Sequence, residues 1–449
     1  MLVMSPVRAV ASERAGMFDT RAEYQCRVMT AEAAMRAISS GQRVFVSGMC
    51  SVPQKLLGAL VARAPELHDV EIVQVLGICD ASHVAPGLQP HIRVNTLFIS
   101  PTMRAAVGNG RADFTTVFLS EIPDLLRTQL RPDIALVQLS PPDAEGFCSF
   151  GVEVGISKPA ALAAPIIIAE INQQMPYSLG NSRIHISQLH ALVEVDYPPP
   201  ELPMSSGDPI ELEIGGHIAS LIEDGSTLQM GIGGIPDGVL QTLRSSGLKD
   251  LGLHTEMFSD GVIDLVRLGV ITNARKTLNP GKIVAGFVMG TQRLYEFIDH
   301  NPLVEMHPID YTNDPFVIAQ HDKMVAINAA IEVDFTGQVC ADSLGYNLYS
   351  GVGGQVDFVR GAARSKGGKP IITLPSTAKD GTISRIVPTL QPGAGVVTSR
   401  NDVHYVVTEY GIAYLHGQTL RQRVRALINV AHPKFRDQLM ARAKELHYL

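Results

Sequence analysis

The sequence is poor in the residues that form cross-links and metal sites. Its 449 residues include no tryptophan and only five cysteines, which are far apart and form no C-x-x-C pair. Neither a disulfide framework nor a zinc knuckle is therefore indicated, and a reducing cytoplasm suits the chain best. The 14 histidines form no H-E-x-x-H motif, so we expect no metal site.

Long hydrophobic runs and an excess of basic charge are missing as well. The most apolar stretch, 160–171, is too short to cross a bilayer and is predicted to be a helix end followed by a buried strand. Arg8, Glu13 and Arg14 stand where a signal peptide needs an apolar core. The 37 basic and 44 acidic residues give a formal charge of -7. We therefore expect a soluble chain that binds neither membranes nor nucleic acid.

The chain is too long for one hydrophobic core, and its midpoint carries a boundary signal. Five prolines within 196–209 indicate an extended linker. On both sides, short β-branched runs alternate with Ala- and Leu-rich windows; the runs are at 43–48, 70–76, 133–139, 282–288 and 404–408. This alternation predicts two tandem α/β domains with mostly parallel open sheets, over 1–200 and 201–449.

The two halves share an internal repeat. Three pairs of similar segments occur in the same order in each half: 40–60 with 224–243, 108–114 with 351–358, and 139–146 with 374–381. Such self-similarity predicts a duplicated α/β domain. The repeat also aligns 67–75 with 248–256. Val75 then stands opposite Glu256, so the second copy carries a carboxylate where the first carries an apolar side chain.

A glycine-rich loop at 229–238 follows a predicted strand and opens a predicted helix. In that setting main-chain N–H groups and a helix N-terminus can approach a phosphate or a developing oxyanion. Pro236 suits a first helical turn, but it replaces the third glycine of the dinucleotide fingerprint. A tight turn that binds no ligand is the alternative interpretation.

Glu256 follows a predicted short strand, 251–255. Open α/β sheets place ligands at the carboxyl ends of their parallel strands, which makes this carboxylate a candidate for chemistry. An ordinary loop glutamate is the alternative. His254 is a candidate to tune Glu256, and Ser259 or Asp260 is expected to cap the helix that follows.

A second glycine-rich loop, at 351–358, places Asp357 between two apolar residues. Such a loop can fold over a ligand and offer main-chain donors. Four cations follow that could meet the phosphates of a nucleotide or form a solvated basic loop: Arg360, Arg364, Lys366 and Lys369.

With these motifs in hand, the sequence resembles the acetyl-CoA hydrolase/transferase family, which includes single-chain 4-hydroxybutyrate and butyrate:acetate CoA-transferases. The resemblance runs from about residue 25 to 445 and rests on the segments QMGIGGIPDGVL, HTEMFSDG, YTNDP, GVGGQVDF, PSTAKDGTISRIVP and VVTEYGIAYLHG. It implies duplicated CoA-transferase-like α/β domains, a coenzyme A thioester as substrate with no tightly bound cofactor, and a homo-oligomer, a dimer or larger.

The resemblance also implies roles for individual residues, most of them in the second domain. The nucleophile falls on Glu256, and a main-chain N–H of Gly353 or Gly354 stabilises an oxyanion. Asn313 lies beside the reacting glutamate, and Glu409 is an active-site carboxylate. The implied CoA-binding residues are Gln229, Gly231, Ile232, Gly233, Gly234, Ile235, Pro236, Gly351, Val352, Gln355, Arg360 and Lys379.

The implied reaction is ping-pong transfer of CoA from a short-chain acyl-CoA to a carboxylic acid such as acetate. The glutamate attacks the thioester and forms a mixed anhydride, and the released CoA thiolate then makes a glutamyl-CoA thioester. Three alternatives stay open from the sequence: acyl-CoA hydrolysis by the same glutamate, a non-catalytic metabolite-binding α/β protein, and a nicotinamide-dependent enzyme.

Overall fold

The computed structural model describes residues 20–204 and 207–449. The N-terminal charges at Arg8, Glu13 and Arg14 lie outside the described residues. Within those two ranges, no helix is long and apolar enough to cross a membrane.

The N-terminal half is built on a seven-stranded sheet, in which every pair of neighbouring strands is parallel. The strands of this half are β1 (Arg43–Val46), β2 (Val70–Val75), β3 (Ile92–Phe98), β4 (Asp113–Phe114), β5 (Ile134–Leu139), β6 (Phe147–Ser149), β7 (Ile166–Asn172), β8 (Arg183–His185) and β9 (Ala191–Val195). The helices are α1 (Thr20–Arg27), α2 (Ala31–Ala34), α3 (Gln54–Arg63), α4 (Arg104–Gly108), α5 (Ile122–Arg127) and α6 (Ser157–Ala163). The sheet order is β4-β3-β2-β1-β5-β7-β9, and β6 pairs with β8 outside it.

The C-terminal half is built on a six-stranded sheet of order β11-β10-β16-β21-β25-β26, in which only the last pair is antiparallel. Its strands are β10 (Thr227–Met230), β11 (Gly252–Leu253), β16 (Met324–Ala329), β21 (Lys369–Thr373), β25 (Tyr405–Thr408) and β26 (Gly411–Tyr414). Smaller sheets contain β12 (Met257–Phe258), β13 (Ile283–Ala285), β14 (Phe287–Val288), β15 (Val304–Met306), β17 (Glu332–Asp334), β18 (Val339–Cys340), β19 (Ser343–Leu344), β20 (Asn347–Leu348), β22 (Thr377–Ala378), β23 (Ile383–Ser384) and β24 (Ile386–Val387).

The helices of the C-terminal half connect and cover these strands. They are α7 (Pro209–Ala219), α8 (Gly234–Leu243), α9 (Gly261–Arg267), α10 (Gln292–Ile298), α11 (Ile309–Thr312), α12 (Pro315–Ile318), α13 (Gln355–Arg364), α14 (Leu420–Val430) and α15 (Pro433–Glu445). Asp260 precedes α9 without a side-chain cap hydrogen bond. The expected cap is therefore wrong for Asp260, because its carboxylate accepts hydrogen bonds from the N–H and hydroxyl of Thr291 instead, at 2.8 and 2.6 Å; a cap by Ser259 stays a prediction.

The strand order confirms the predicted duplication. Strands β2-β1-β5-β7-β9 of the first sheet match β11-β10-β16-β21-β25 of the second in order, direction and chain sequence. The segments 40–60 and 224–243 fall on equivalent elements, β1 with α3 and β10 with α8. Arg43 pairs with Glu71 in one sheet, and Thr227 pairs with Gly252 in the other. Val75 lies four residues after Glu71, and Glu256 lies four residues after Gly252. The two residues therefore occupy equivalent positions in the two copies, as the sequence alignment predicted.

The other two segment pairs of the repeat are wrong. Residues 108–114 lie between β3 and β5, whereas 351–358 lie between β16 and β21, the counterparts of β5 and β7. Residues 139–146 follow β5, whereas 374–381 follow β21, which is the counterpart of β7. Short combinations of glycine and acidic residues recur in unrelated loops, so these matches carried no register information.

The two sheets share a hydrophobic core. One continuous cluster of buried apolar side chains takes members from both halves, among them Val75 and Met230. Residues 196–204 contain neither helix nor strand, as expected of a linker. Strand β5 is fully buried, which is typical of parallel strands covered on both faces. The domain boundary at 200/201 stays a prediction.

Candidate active site

Glu256 lies just beyond the carboxyl end of β11, where the chain passes into β12. Its main-chain oxygen accepts hydrogen bonds from the N–H groups of Gly286 and Phe287, both at 2.9 Å. Its carboxylate oxygen Oε2 accepts a hydrogen bond from Nδ2 of Asn313, also at 2.9 Å. The backbone is thus held at one point, while one carboxylate oxygen is oriented by a single side chain.

Asn313 follows α11 and is fully buried. The hydroxyl of Thr312 donates to Oδ1 of Asn313 at 3.1 Å, which leaves the Nδ2 group to donate to Glu256. Nε2 of His254 donates to the main-chain oxygen of Thr312 at 2.9 Å. His254 therefore supports the segment that carries Asn313, and this bond is its described link to the site.

Gly354 is the residue before α13, and it approaches the carboxylate closely. A Cβ atom built there would lie 1.8 Å from Oε2 of Glu256 and 2.3 Å from Nδ2 of Asn313, so any larger residue would displace one of these side chains or the backbone. Gly353 has φ +58°, a left-handed conformation that glycine adopts without strain. Among the hydrogen bonds of residues 20–204 and 207–449, none uses the N–H of Gly353 or Gly354. Two donors at a helix N-terminus are thus available beside Glu256.

The protonation of the site is set by burial. Burial raises the pKa of Glu256 above its usual range, and the hydrogen bond from Asn313 lowers it in part. Burial also raises the pKa of Asp357 to about 7; the hydrogen bonds from Ser120 oppose this rise, and the nearby charge of Glu256 adds to it. A hydrogen bond from Asn313 lowers the pKa of Asp357 in part as well, so two carboxyl groups of raised pKa share Asn313 as a neighbour.

We expect the Asn313→Ala variant to need a higher pH for activity. Removing the donor takes away the interaction that lowers the pKa of Glu256, so less of the attacking carboxylate is ionised at a given pH. For the acyl-CoA reaction that the resemblance implies, the rate of the first half-reaction, measured by rapid mixing, should fall on the acid side at a higher pH than in the wild type. An acid limb at the wild-type position would contradict this role of Asn313.

A cavity of about 130 Å³ opens directly on Glu256. Its wall includes apolar residues from the N-terminal half, namely Met49, Val75, Leu76, Phe98 and Leu119. The remaining lining comes from the C-terminal half, namely Gly231, Ile232, Glu256, Met257, Phe287, Met289 and Gly353. Glu256 is the one charged residue of this lining. Since Val75 occupies the duplicated position of Glu256, the first copy supplies an apolar wall and the second supplies the carboxylate.

The first glycine-rich loop lies partly in this cavity. Gly231 and Ile232 line it, and Gly233, with φ +114°, turns the chain into α8. Gly234, Ile235 and Pro236 form the first turn of α8, as predicted. In the second loop, Cβ atoms built on Gly351 and Gly353 would lie 3.0 and 3.2 Å from the ring of Phe98, so this loop packs against the N-terminal half.

Two predicted CoA-binding glutamines have buried side chains that bond to the protein itself. Oε1 of Gln229 accepts from the N–H of Ile327 and from Nδ2 of Asn328, at 3.2 and 3.0 Å. Nε2 of Gln355 donates to the main-chain oxygen of Ala329 at 2.8 Å. These bonds hold the glycine-rich loops against β16, and direct contact of either amide with CoA stays a prediction.

The remaining predicted residues are not brought into hydrogen-bond contact with Glu256 among the residues that the structure describes. Glu409 accepts from the N–H and hydroxyl of Ser376 at 2.9 and 2.5 Å. The Nε atom of Arg360 lies 3.8 Å from the carboxylate of Asp402. Lys379 is exposed in the turn between β22 and β23, and Val352 is partly buried in the second loop. The roles of these residues stay predictions.

Sequence reasoning missed most of the apolar wall of the cavity. Met49, Leu76, Phe98 and Leu119 come from separate strand ends and loops, and nothing in their neighbourhoods sets them apart from core residues. Only the repeat provided a signal, because it places Val75 opposite Glu256. As for metal, no group of three or more His, Cys, Asp or Glu side chains in the described ranges is arranged to hold an ion.

The fold and the site define a class of protein. Two duplicated parallel α/β units meet at a partly buried carboxylate, and main-chain N–H groups without a hydrogen-bond partner among the described residues lie beside it. A carboxylate nucleophile with nearby oxyanion donors is typical of an acyl-transfer enzyme. Two family models match the sequence: the acetyl-CoA hydrolase/transferase N-terminal domain at residues 12–201 and the acetyl-CoA hydrolase/transferase C-terminal domain at residues 290–443. The chain belongs to the acetyl-CoA hydrolase/transferase family.

Individual relatives are similar to this chain over nearly its whole length. A 4-hydroxybutyrate coenzyme A transferase from Clostridium kluyveri is 51% identical over 94% of this chain and 98% of the relative. A succinyl-CoA:cyclohexane-1-carboxylate CoA transferase from Geobacter metallireducens is 45% identical over 95% of this chain and 97% of the relative. The crystal structure of RipA from Yersinia pestis matches with a TM-score of 0.91 and 37% identity, over 96% of this chain and 100% of that chain.

These relatives confirm the predicted enzyme class, a CoA-transferase. The hydrolase alternative has weaker support, since an acetyl-CoA hydrolase from Yarrowia lipolytica is 26% identical over 78% of this chain and 74% of the relative. The predicted fold class, duplicated α/β domains with mostly parallel sheets, is confirmed as well.

Proposed function

We propose that this chain transfers CoA from a short-chain acyl-CoA to a carboxylic acid such as acetate through a glutamyl-CoA thioester on Glu256. The observation that carries the proposal is the convergence of three groups: the carboxylate of Glu256, its donor Asn313, and the unbonded N–H groups at Gly353 and Gly354. A carboxylate that is bound on one oxygen keeps the other free to attack a carbonyl carbon.

The reaction proceeds by four exchanges at carbonyl carbons. Glu256 attacks the acyl-CoA carbonyl, the C–S bond breaks, and CoA leaves as thiolate, which gives a mixed anhydride of Glu256 and the first acid. The thiolate attacks the glutamyl carbonyl, the first acid departs as its carboxylate, and the enzyme carries CoA. The acceptor carboxylate then attacks the glutamyl carbonyl, the C–S bond breaks, and CoA thiolate leaves a second mixed anhydride. The thiolate attacks the acceptor's carbonyl carbon in that anhydride and releases Glu256 as a carboxylate. Each step passes through an oxyanion, and we assign its stabilisation to the N–H groups of Gly353 and Gly354.

The reaction requires no metal and no separate acid or base, since thiolate and carboxylate are both adequate leaving groups. It does require a site from which water is excluded, because water competes for the anhydride and the thioester. The apolar wall beside Glu256, which includes Val75, Phe98 and Met289, meets that requirement.

The size of the cavity supports a short acyl group. A volume of about 130 Å³ is slightly smaller than the roughly 150 Å³ of an apolar cavity that holds benzene, which suits a chain of a few carbon atoms. The wall offers no second charged group. We therefore assign this cavity to the acyl chain and expect apolar short-chain acids to be preferred.

Substitution of Val75 should shift the preferred chain length in either direction. The side chain is buried and lines the cavity, so Val75→Ala enlarges it and Val75→Leu fills it. We expect the ratio of kcat/KM for butyryl-CoA to that for acetyl-CoA to rise about tenfold in the first variant and to fall about tenfold in the second, the effect of about one methylene. Equal ratios in both variants would place the acyl group elsewhere.

Dependence on the acceptor separates transfer from hydrolysis. Butyryl-CoA is incubated with and without acetate, and acetyl-CoA and free CoA are measured. We expect acetyl-CoA to form only with acetate and free CoA to accumulate slowly in its absence. A rate of CoA release that is indifferent to acetate would contradict transfer and favour the hydrolase.

The proposal has three finer parts. CoA thioester acts as a substrate and not as a tightly bound cofactor, because the reaction begins and ends with free acyl-CoA. The chain acts as a homo-oligomer, which its family membership supports. It works in a reducing cytoplasm, for which the five free cysteines of the described residues are suited.

A further inference from the structure

The N-terminal half binds the second glycine-rich loop and the two residues before it through hydrogen bonds to main-chain oxygens. The N–H of Ile99 donates to the oxygen of Ser350 at 3.2 Å, and the N–H of Leu119 donates to the oxygen of Gly353 at 3.1 Å. Nε of Arg104 donates to the oxygen of Tyr349 at 2.9 Å. The loop beside Glu256 is therefore fixed by the opposite half of the molecule.

One side-chain contact joins the halves at the same place. The carboxylate of Asp357 accepts from the N–H of Ser120 at 3.1 Å and from its hydroxyl at 2.8 Å. Asp357 is 3% exposed and lies in the first turn of α13, three residues after Gly354. Ser120 follows Leu119, which lines the cavity at Glu256.

These positions couple the contact to the reacting groups. Asp357 and Gly354 belong to the same helix start, so a shift of α13 moves the N–H groups beside Glu256. Ser120 and Leu119 belong to the same turn, so a shift there opens the cavity wall. A buried carboxylate that loses its donors is strongly destabilised, so the two sides are held together as long as both donors remain.

We propose that Ser120 and Asp357 form a positioning contact that keeps the two halves closed over Glu256 and so protects the glutamyl-CoA thioester from water. The proposal rests on the proposed function, since it concerns that thioester. When the contact is lost, the oxygen of water bonds to the glutamyl carbonyl carbon and the C–S bond breaks. CoA leaves as thiolate, the two protons of water pass to solvent or one of them to the thiolate, and the Glu256 carboxylate is restored.

The test compares Ser120→Ala and Asp357→Asn with the wild type. Each protein is mixed with acyl-CoA without an acceptor acid, and the decay of the enzyme-bound CoA is followed by intact mass. We expect decay to be about tenfold faster in both variants, the change that one lost hydrogen bond to a charged group supports. Transfer to acetate is measured in parallel, and the ratio of hydrolysis to transfer should rise.

A matched control is available within the C-terminal half. The hydroxyl of Ser399 donates to the partly exposed carboxylate of Asp402 at 2.9 Å, and both residues belong to the C-terminal half. In Ser399→Ala the enzyme-bound CoA should decay at the wild-type rate. In the double variant of Ser120 and Asp357, the enzyme-bound CoA should decay no faster than in the more affected single variant, because the two substitutions remove the same contact.

Two failures can be told apart. If the wild type forms no enzyme-bound CoA, the proposed function fails. If bound CoA forms in all proteins but decays equally fast in Ser120→Ala, Asp357→Asn and the wild type, the proposed function stands and the positioning contact is refuted. Should Asp357→Asn melt at a much lower temperature, Ser120→Ala alone decides, since it keeps the buried carboxylate and removes one hydroxyl donor.

Discussion

The Glu256→Gln variant is expected to lose CoA transfer by on the order of 10⁴-fold or more, the usual result of removing a catalytic nucleophile. The amide keeps the shape of the side chain but has no anionic oxygen to attack a thioester. Steady-state transfer from butyryl-CoA to acetate measures the loss, and single-turnover release of CoA shows that the first half-reaction is the affected step.

The folded state of Glu256→Gln should be at least as stable as that of the wild type, although its activity is lost. Burial raises the pKa of Glu256, which means that the folded state disfavours the charged form at neutral pH. A neutral glutamine avoids that penalty, so we expect the free energy of unfolding to be unchanged or higher. Glu213→Gln on α7, where the side chain is exposed, serves as the control and should retain full activity. Retention of about a tenth of the transfer rate by Glu256→Gln would contradict its role as nucleophile.

The Gly354→Ala variant should have the next largest effect. The added methyl group would lie 1.8 Å from Oε2 of Glu256, so the carboxylate, Asn313 or the start of α13 must move. Displacing an oxyanion donor costs on the order of 10² to 10³ in kcat, and we expect a loss of at least that size. The measurement is kcat for transfer, together with the fraction of enzyme that forms bound CoA.

The control for this glycine is Gly58→Ala. Gly58 lies within α3, and a Cβ atom there meets nothing within 4 Å. Because alanine favours helix, this variant should be about 1 kcal/mol more stable and fully active. Wild-type kcat in Gly354→Ala would show that the close approach to Glu256 is not needed for catalysis.

Much of the fold could be predicted because parallel sheets have a simple sequence pattern. The runs at 43–48, 70–76 and 133–139 became β1, β2 and β5, and HYVVT at 404–408 became β25. The repeat of a strand, a glycine turn and a helix set the register that relates Val75 to Glu256. By contrast, the run at 282–288 split into β13 and β14 and lies outside both large sheets.

The candidate site was predictable only where local chemistry is concentrated. A glutamate after a strand and glycines before a helix are visible in sequence, and the structure brings Glu256, Asn313 and Gly354 together. The cavity wall was not visible, because apolar residues such as Phe98 and Leu119 look like core. Nor was the contact of Ser120 with Asp357 visible, since its partners lie 237 positions apart.

Duplication explains how the site is divided between the halves. Both copies place a strand end at the junction, and the copies diverged there: Val75 adds an apolar side chain to the cavity lining and Glu256 adds a carboxylate. The first half also fixes the loop of Gly353 through Leu119. Neither copy alone would hold a carboxylate, its main-chain donors and an apolar wall in one place.

Trapping of the enzyme-bound intermediate tests the central claim most directly. The protein is incubated with acyl-CoA in the absence of an acceptor acid, treated with borohydride, digested and mapped by mass spectrometry. The account predicts reduction of a single glutamyl side chain, that of Glu256, and no such product in Glu256→Gln. Reduction at another carboxylate such as Glu409, or active transfer with Glu256 unmodified, would contradict it.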